Sequence, residues 1–330
     1  MIDVANAVAQ LSGAKELSEV YSVLSGVGMG PGWNKPEPSL WPAPRKTFVP
    51  AHWSYTVAKA ALDAAGPLIS TELAERRNLI LANPIPGNTY GTAKTLVAAY
   101  QMVRPHETAR SHRHTPNALR LVVDAEPKTY TVVQGKKIPM LPGDVLLTPN
   151  WLWHGHANDS DHNAYWIDFL DAPLVQMLEP MFLEHFPDGI EKTVDVDSAS
   201  PMRFPFAQTL AMLNAAAPAA DGTLEVQLGN PALDTIALFV RRLKGSERSA
   251  SLQSTANNIY AVIDGEGVST IDGQSFAWKR GDVFVAPLWR SHVHEASSDA
   301  HLLRVTDEPV MRNFRWLREL ELKSGRRVAA

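Results

Sequence analysis

The sequence predicts a mainly β chain built from two antiparallel β-barrel repeats, with helices ahead of the first and between the two. Three observations carry this. From about residue 78, short apolar runs alternate with turn signals (Asn83-Pro84, Pro86-Gly87-Asn88, Gln134-Gly135, Pro142-Gly143-Asp144), the rhythm of short strands in a barrel or sandwich. The rhythm is written twice: Gly135, Gly143-Asp144, Pro149, Trp151, His154 and His156 recur as Gly273, Gly281-Asp282, Pro287, Trp289, His292 and His294, all offset by 138 positions. Helical periodicity is confined to segments outside the two β regions.

Taken in order, residues 2–24 read as an amphipathic helix with apolar Val4, Val8, Leu11, Leu17, Val20 and Leu24, broken at Gly13. From Gly26 to Pro50 the chain is dense in Gly, Pro and Trp, and Pro36, Pro38, Pro42 and Pro44 leave no room for a regular element. It is expected to be an extended arm, wrapping a body or a partner subunit, with Trp33, Trp41 and Trp53 as anchors. Residues 54–66 return to helical spacing and stop at Gly66-Pro67. Arg76-Arg77-Asn78-Leu79-Ile80-Leu81 then opens the first β region. Between the repeats, Met181-Phe182-Leu183-Glu184-His185-Phe186 reads as helical, and Ala207 to Ala217 forms a second helix before an alanine- and proline-rich linker. After Gly222 the β pattern resumes and continues to about residue 306.

Composition bounds the partners. The 330 residues suffice for one large domain or two ordinary ones, and 45% hydrophobic with 20% charged residues is ordinary globular material. A formal charge of −4 without long runs of one sign gives no reason to expect nucleic acid or an anionic membrane. There is no cysteine, which removes disulfides, thiolate metal ligands and thiol nucleophiles. Met1 to Gln10 lacks a leader pattern and no stretch approaches the ~20 apolar residues of a span, so a cytoplasmic protein acting on a small soluble ligand is expected.

The chemistry gathers at Ser111-His112-Arg113-His114 and Trp151-Leu152-Trp153-His154-Gly155-His156. Histidines two apart on a strand project to one face, so His112 and His114 can share an ion. His154 from a neighbouring strand completes a three-nitrogen face with open positions, as a catalytic metal requires. A single such pair is more simply a pair of surface histidines; three pairs among 11 histidines favour metal for the first two. Leu252-Gln253-Ser254 stands opposite His112-Arg113-His114 in the second repeat, and neither leucine nor serine replaces a histidine ligand. The expected division is therefore an N-terminal helical and proline-rich arm (1–75), a metal-binding first barrel (76–171), a helical connection (172–222), and a second barrel without a complete metal site plus a C-terminal tail (223–330). His156 shares the face of His154 one step deeper, which casts it as an acid/base group rather than a fourth ligand. Asp168 would orient it or accept a proton from the substrate. A buried, satisfied polar pair is the bland alternative for both.

The segments His106-x5-His112-x-His114 and Gly143-x5-Pro149-x-Trp151-x2-His154-x3-Asn158 resemble the paired motifs of the cupin superfamily. His106 stands where that motif has glycine, and no glutamate follows His114 at ligand spacing. More narrowly, the chain resembles the bicupin gentisate 1,2-dioxygenase family, which includes enzymes cleaving salicylates and 1-hydroxy-2-naphthoate. The likeness rests on Glu75-Arg76-Arg77-Asn78-Leu79-Ile80-Leu81-Ala82-Asn83-Pro84, His112-Arg113-His114-Thr115 with Ala118-Leu119-Arg120, Trp153-His154-Gly155-His156 and Trp166-Ile167-Asp168-Phe169-Leu170-Asp171. In the second repeat it rests on Trp278-Lys279-Arg280-Gly281-Asp282-Val283-Phe284 and Val305-Thr306-Asp307-Glu308-Pro309-Val310-Met311.

The resemblance implies two jelly-roll barrels, one Fe(II) per chain on His112, His114 and His154, and O2 as co-substrate. It implies opening of an aromatic ring between its carboxyl-bearing and hydroxyl-bearing carbons, and a homotetramer. Arg120 follows His114 at even spacing, so it faces inward with the ligands, and its planar fork suits a substrate carboxylate. Arg76, with Arg77 beside it as the competing choice, and Gln101 are substrate contacts by the same likeness. Small Val97 and Ala99 occupy places where the family often has a larger aromatic residue and a glycine, which favours a substituted salicylate such as 5-nitrosalicylate besides gentisate. His106, His162, His185 and His301 match no site position. Trp151, Trp153 and Trp166 wall a pocket or simply fill core. Two other readings stay open: a non-catalytic metal-containing cupin that binds an aromatic acid, and a zinc or manganese isomerase or hydrolase.

Overall fold

A computed structural model describes residues 3–74, 76–219, 222–321 and 326–329. It divides into two compact units, Met1–Arg45 and Lys46–Ala330. In the first unit the single expected helix is two, α1 (Val4–Gly13) and α2 (Leu17–Gly26). Gly13, the poorest helix former in the run, closes α1, and Asp3 caps its start by accepting from the Ala5 N–H at 3.2 Å. Residues 30–45 hold no helix or strand, as their prolines dictate. There the Trp33 indole donates to the Tyr21 hydroxyl at 3.0 Å, and the Arg45 guanidinium lies 3.9 Å over Trp41.

The second unit begins with β1 (Ala51–Trp53), α3 (Tyr55–Ala65) and α4 (Thr71–Ala74). The first repeat follows as β2 (Arg77–Ile80), β3 (Val97–Val103), β4 (Glu107–His114), β5 (Ala118–Asp124), β6 (Thr129–Val133), β7 (Lys136–Pro139), β8 (Val145–Thr148), β9 (His154–Asn158) and β10 (Ala164–Leu170). The connection holds α5 (Ala172–Leu178), β11 (Leu183–His185), β12 (Asp195–Val196), β13 (Arg203–Phe204) and α6 (Phe206–Ala215). The second repeat is β14 (Leu224–Leu228), β15 (Ala237–Leu243), β16 (Asn258–Asp264), β17 (Glu266–Ile271), β18 (Gln274–Lys279), β19 (Val283–Ala286), β20 (His292–Ala296) and β21 (Ala300–Thr306). After it come α7 (Glu308–Asn313) and the paired strands β22 (Arg318–Glu321) and β23 (Arg326–Ala329). Among the described residues no helix is long and apolar enough to cross a membrane.

Two six-stranded sheets, β13-β8-β5-β10-β3-β2 and β1-β19-β16-β21-β15-β14, place corresponding strands in the same order. One parity of their side chains meets in a shared core, with Leu119, Leu121, Ile167 and Phe169 against Ile259, Ala261, Leu303 and Val305. The other parity fills each barrel, Val122 and Trp166 in the first, Tyr260 and Val262 in the second. Burial on both faces is why these strands read as nearly unbroken apolar runs. The first barrel is closed by β11-β4-β9-β6-β7-β12 and the second by β18-β17-β20.

The repeats exchange the segments that precede them. β1 pairs with β19 of the second barrel, Ala51 facing Val285, and β13 pairs with β8 of the first, Arg203 facing Leu146. The helix after each strand then lands on the same barrel: the Tyr55 N–H donates to Asp282 Oδ1 at 2.8 Å, and the Phe206 N–H to Asp144 Oδ1 at 2.9 Å. The turn glycines beside these aspartates, Gly281 and Gly143, both adopt φ +85°, and a Cβ there would lie 2.6 Å from the Tyr55 ring or 2.8 Å from the Phe206 ring.

One further feature departs from expectation, and another accounts for a position in the motif. The segment expected to be helical at 181–186 contains β11 instead, pairing Leu183 with His114 and His185 with His112. The exposed edge of β4 has backbone groups to satisfy, and the Arg113–Glu184 bridge at 2.6 Å fastens the added strand, so tertiary pairing overrides local propensity. His106 adopts the left-handed φ of +61° that explains the motif's glycine, and its N–H donates to the Asn158 carbonyl at 2.7 Å.

Candidate metal centre

β4 and β9 are antiparallel neighbours with His112 directly opposite His154. A register shift between Ala109 and His112 bends β4 there. His114, two residues along β4, joins the same face, and the three rings lie 4.5, 4.8 and 5.5 Å apart, centre to centre. One nitrogen from each ring falls within 4.8 Å of the others. The tautomers are fixed by backbone: His114 Nδ1 donates to the Pro116 carbonyl at 2.8 Å and His154 Nδ1 to the Leu152 carbonyl at 3.0 Å, so Nε2 of each turns inward. Burial pushes the His112 imidazolium down to about 2, with Arg76 adding to it, and lowers His114 and His154 as well. Neutral imidazoles converging on one point are the donor set a divalent transition metal requires, so the residues present fit such an ion.

The triad opens on a cavity of about 180 Å³ lined by Arg76, Gln101, His114, Arg120, His154 and Asp168, with Asn78, Ile80, Tyr90, Val97, Ala99, Ala118 and Leu170 completing its walls. Of the two adjacent arginines, Arg76 reaches the site, its Nη2 3.4 Å from His112 Nε2. Arg77 points away and is held by Glu107 at 2.6 Å and by the Ile69 carbonyl. Strand alternation explains the split.

Arg120 and Asp168 face each other across β5 and β10, and both are buried. The Arg120 guanidinium is lowered to about 10 by burial, which Asp168 opposes. Asp168 is shifted upward by burial, against the pull of Arg120 and Arg76. Its Oδ1 lies 3.5 Å from Arg120 Nε, and Gln101 donates to its Oδ2 at 2.5 Å. His156 is not in the cavity wall. It lies under Arg120, whose Nη1 is 2.6 Å from His156 Nδ1, and beside the Trp166 ring. Burial and then Arg120 keep it neutral, and Asp168 reaches Arg120 and Gln101 rather than this ring.

Sequence reasoning passed over Asn78, Ile80, Tyr90, Ala118 and Leu170 in the walls, and Thr131 and Thr148 beneath Arg120. Parity could have found Asn78 and Ile80, which alternate with Arg77 on β2. His185 lies on β11 beside His112, exposed, while His106 and His162 face solvent with Asp161 and Glu126 near them, and His301 sits against Asp264. Trp151 and Trp153 flank the Arg113 guanidinium at 4.6 and 4.5 Å, and Trp166 is core.

The second barrel keeps the frame without the ligands. Leu252 bridges His292 as His112 faces His154, and the Trp289 N–H donates to the Ser254 carbonyl as Trp151 does to His114. The Tyr260 hydroxyl lies 2.8 Å from His292 Nε2. The corresponding cavity, about 500 Å³, contains Arg241 and Arg304 closed on Glu225 at 3.0 and 2.9 Å.

Comparison with known proteins agrees with this geometry. Residues 99–170 match the family model described as Cupin domain. The chain is 33% identical to gentisate 1,2 dioxygenase 1 of Aquipseudomonas alcaligenes, over 92% of this chain and 96% of that one. It is also 33% identical to 5-aminosalicylate 1,2-dioxygenase of Comamonas sp, over 92% of this chain and 90% of that one. The crystal structure of salicylate 1,2-dioxygenase from Pseudoaminobacter salicylatoxidans with gentisate superposes with a TM-score of 0.85 at 26% identity, over 93% of this chain and 94% of that one. A two-barrel cupin with a three-histidine cluster in its first barrel, alike over nearly its whole length to these enzymes, belongs to the family of gentisate and salicylate 1,2-dioxygenases, the ring-cleaving cupin dioxygenases.

Proposed function

We propose that the first barrel opens the ring of a salicylate-type acid between its carboxyl-bearing and hydroxyl-bearing carbons, using one Fe(II) per chain on His112, His114 and His154 and O2 as co-substrate. The observation that carries the reading is the convergence of three neutral imidazoles, two of them oriented by backbone carbonyls, on a cavity that also holds two arginines. Bound to this triad, a ferrous ion supplies the electron-transfer chemistry through which an electron-rich ring reacts with dioxygen. The remaining work belongs to side chains. Two arginines and one aspartate around neutral ligands leave an excess of positive charge, which selects an anionic acid. Arg120 receives the carboxylate through a rigid fork, and Arg76, at the cavity edge, closes over the ring oxygen. Asp168, shifted upward by burial, takes the proton that the ring hydroxyl gives up, and Gln101 holds that carboxylate in place. His156 acts through Arg120, as a neutral ring that fixes the guanidinium.

Gentisate, 5-aminosalicylate and 5-nitrosalicylate are the substrates to try first, because relatives are named for each. In the same reading the first barrel carries the chemistry, the second is structural, and the protein is a cytoplasmic homotetramer. Apo-protein loaded anaerobically with ferrous ion is expected to consume O2 with at least one salicylate. Metal and acid binding without uptake by any of them would return the non-catalytic reading, and full turnover under argon on zinc would return the hydrolase one. Light scattering gives the oligomer.

A further inference from the structure

The two barrels serve as an internal comparison, and it singles out Thr148. Building on the dioxygenase reading above, we propose that the Thr148 hydroxyl is a positioning group that aims the Arg120 guanidinium at the substrate carboxylate. Thr148 ends β8 and is fully buried, and Arg120 Nη2 donates to its Oγ1 at 3.0 Å. Arg120 Nη1 donates to Thr131 Oγ1 at 3.2 Å and lies 2.6 Å from His156 Nδ1. Thr131 in turn donates to the Gly155 carbonyl at 3.1 Å, between His154 and His156. A guanidinium has five N–H donors. With these taken, the donors left are Nε, which has no hydrogen-bond partner and stands 3.5 Å from Asp168, and the second hydrogen of Nη2. Nε is buried and faces the Asp168 carboxylate, so the free Nη2 hydrogen is the donor the fork has left to offer a second carboxylate. The two threonines thus fix the rotation of the guanidinium and with it the direction of that last donor.

The second barrel shows which hydroxyl serves Arg120 alone. Arg120 faces Asp168 in the first barrel as Tyr260 faces Arg304 in the second, so tyrosine stands where the arginine was. Thr148 faces Ala118 as Ala286 faces Asn258, so alanine stands where the threonine was. Thr131 faces His156 as Ser269 faces His294, and Ser269 keeps its hydroxyl, bonded to His294 at 2.7 Å and to the Trp278 indole at 2.8 Å. A hydroxyl at the position of Thr131 has a partner in either barrel. At the position of Thr148 it is present with the guanidinium and absent without it.

The test uses the full-length, iron-loaded enzyme with Thr148→Val, which keeps shape and removes the hydroxyl, and Thr148→Ser, which keeps the hydroxyl. Thr148→Ala is the reserve if the valine variant misfolds, since Ala286 shows that the equivalent strand carries alanine. Anaerobic Kd values for salicylate and for its uncharged amide, salicylamide, are measured beside KM and kcat for O2 uptake. The expected result is a rise of about tenfold in Kd and KM for the acid in T148V, kcat nearly kept, salicylamide binding changed less than about twofold, and T148S close to the parent. Unchanged acid affinity in T148V overturns the proposal. So does equal weakening of acid and amide, or a T148S as weak as T148V, either of which assigns Thr148 to packing. A parent enzyme that binds the acid but consumes no O2 with any salicylate would sink the dioxygenase reading instead, and the acid-against-amide comparison would still judge Thr148.

Discussion

At the residue scale, what a side chain can do here is set by its partner more than by its type. His154 and His292 occupy the same place, and each donates Nδ1 to a carbonyl two residues back at 3.0 Å. Only His154 meets two further imidazoles; His292 meets Tyr260. The histidine spacing therefore made the convergence of His112, His114 and His154 legible in the sequence, and Leu252 and Ser254 stand where His112 and His114 do in the first barrel. The aim of Arg120 was not legible, because Thr131 and Thr148 come from other strands and no spacing rule links them to it. Glu225 was equally silent. Burial alone would raise its carboxyl, but Arg304 and Arg241 outweigh burial and hold it below the ordinary carboxylate range. A carboxyl lowered in the folded state contributes stability that is fully present above its unfolded pKa and is lost as pH falls through the folded value. Glu225→Gln should therefore cost about 3 kcal/mol near neutrality, with the gap to the parent closing below about pH 4. Urea unfolding across a pH series reads this directly, and a gap that does not change with pH would show that charge is not the cause.

At the element scale, turns and edges carry the information that periodicity leaves out. The strands of both repeats were readable because they are apolar on both faces. β11 was misread because residues 181–186 gain their order from the edge of β4, a partner about seventy residues earlier, and not from their own pattern. The exchange of β1 and β13 was hidden for the same reason: three residues and two residues carry no period. Its trace in the sequence was the pair Gly143-Asp144 and Gly281-Asp282, recognised as a repeat but not as a docking point. Gly281→Ala would place a methyl within 2.6 Å of the Tyr55 ring while holding alanine at φ +85°. The left-handed backbone alone costs roughly 1–2 kcal/mol, and displacing the ring adds to that. In a double-mutant cycle with Tyr55→Ala, the steric part should be relieved and the backbone part should remain. Strict additivity of the two substitutions would mean that α3 does not press on this turn.

At the scale of the whole second unit, the exchange makes the two barrels one folding entity. β1 completes a sheet of the second barrel, β13 completes a sheet of the first, and the facing sheets share one apolar core. The link is repeated in polar form: Thr95 donates to Asp307 of the other repeat, and Thr235 to Asp171. Neither barrel can lose its packing without exposing the inner face of its neighbour, so ordering the first barrel should order the second. The proposed metal offers a way to test this, because the three histidines that would hold it all lie in the first barrel. An ion that binds only the folded state stabilises it by about 2.7 kcal/mol at a hundredfold excess over Kd. If the barrels are coupled, adding ferrous ion anaerobically to apo-protein moves a single calorimetric transition upward as a whole, with calorimetric and van't Hoff enthalpies in agreement. Removing it with a chelator returns the entire transition. If the barrels are independent, the ion shifts only part of the heat absorption, and a second transition, insensitive to metal, stays where it was.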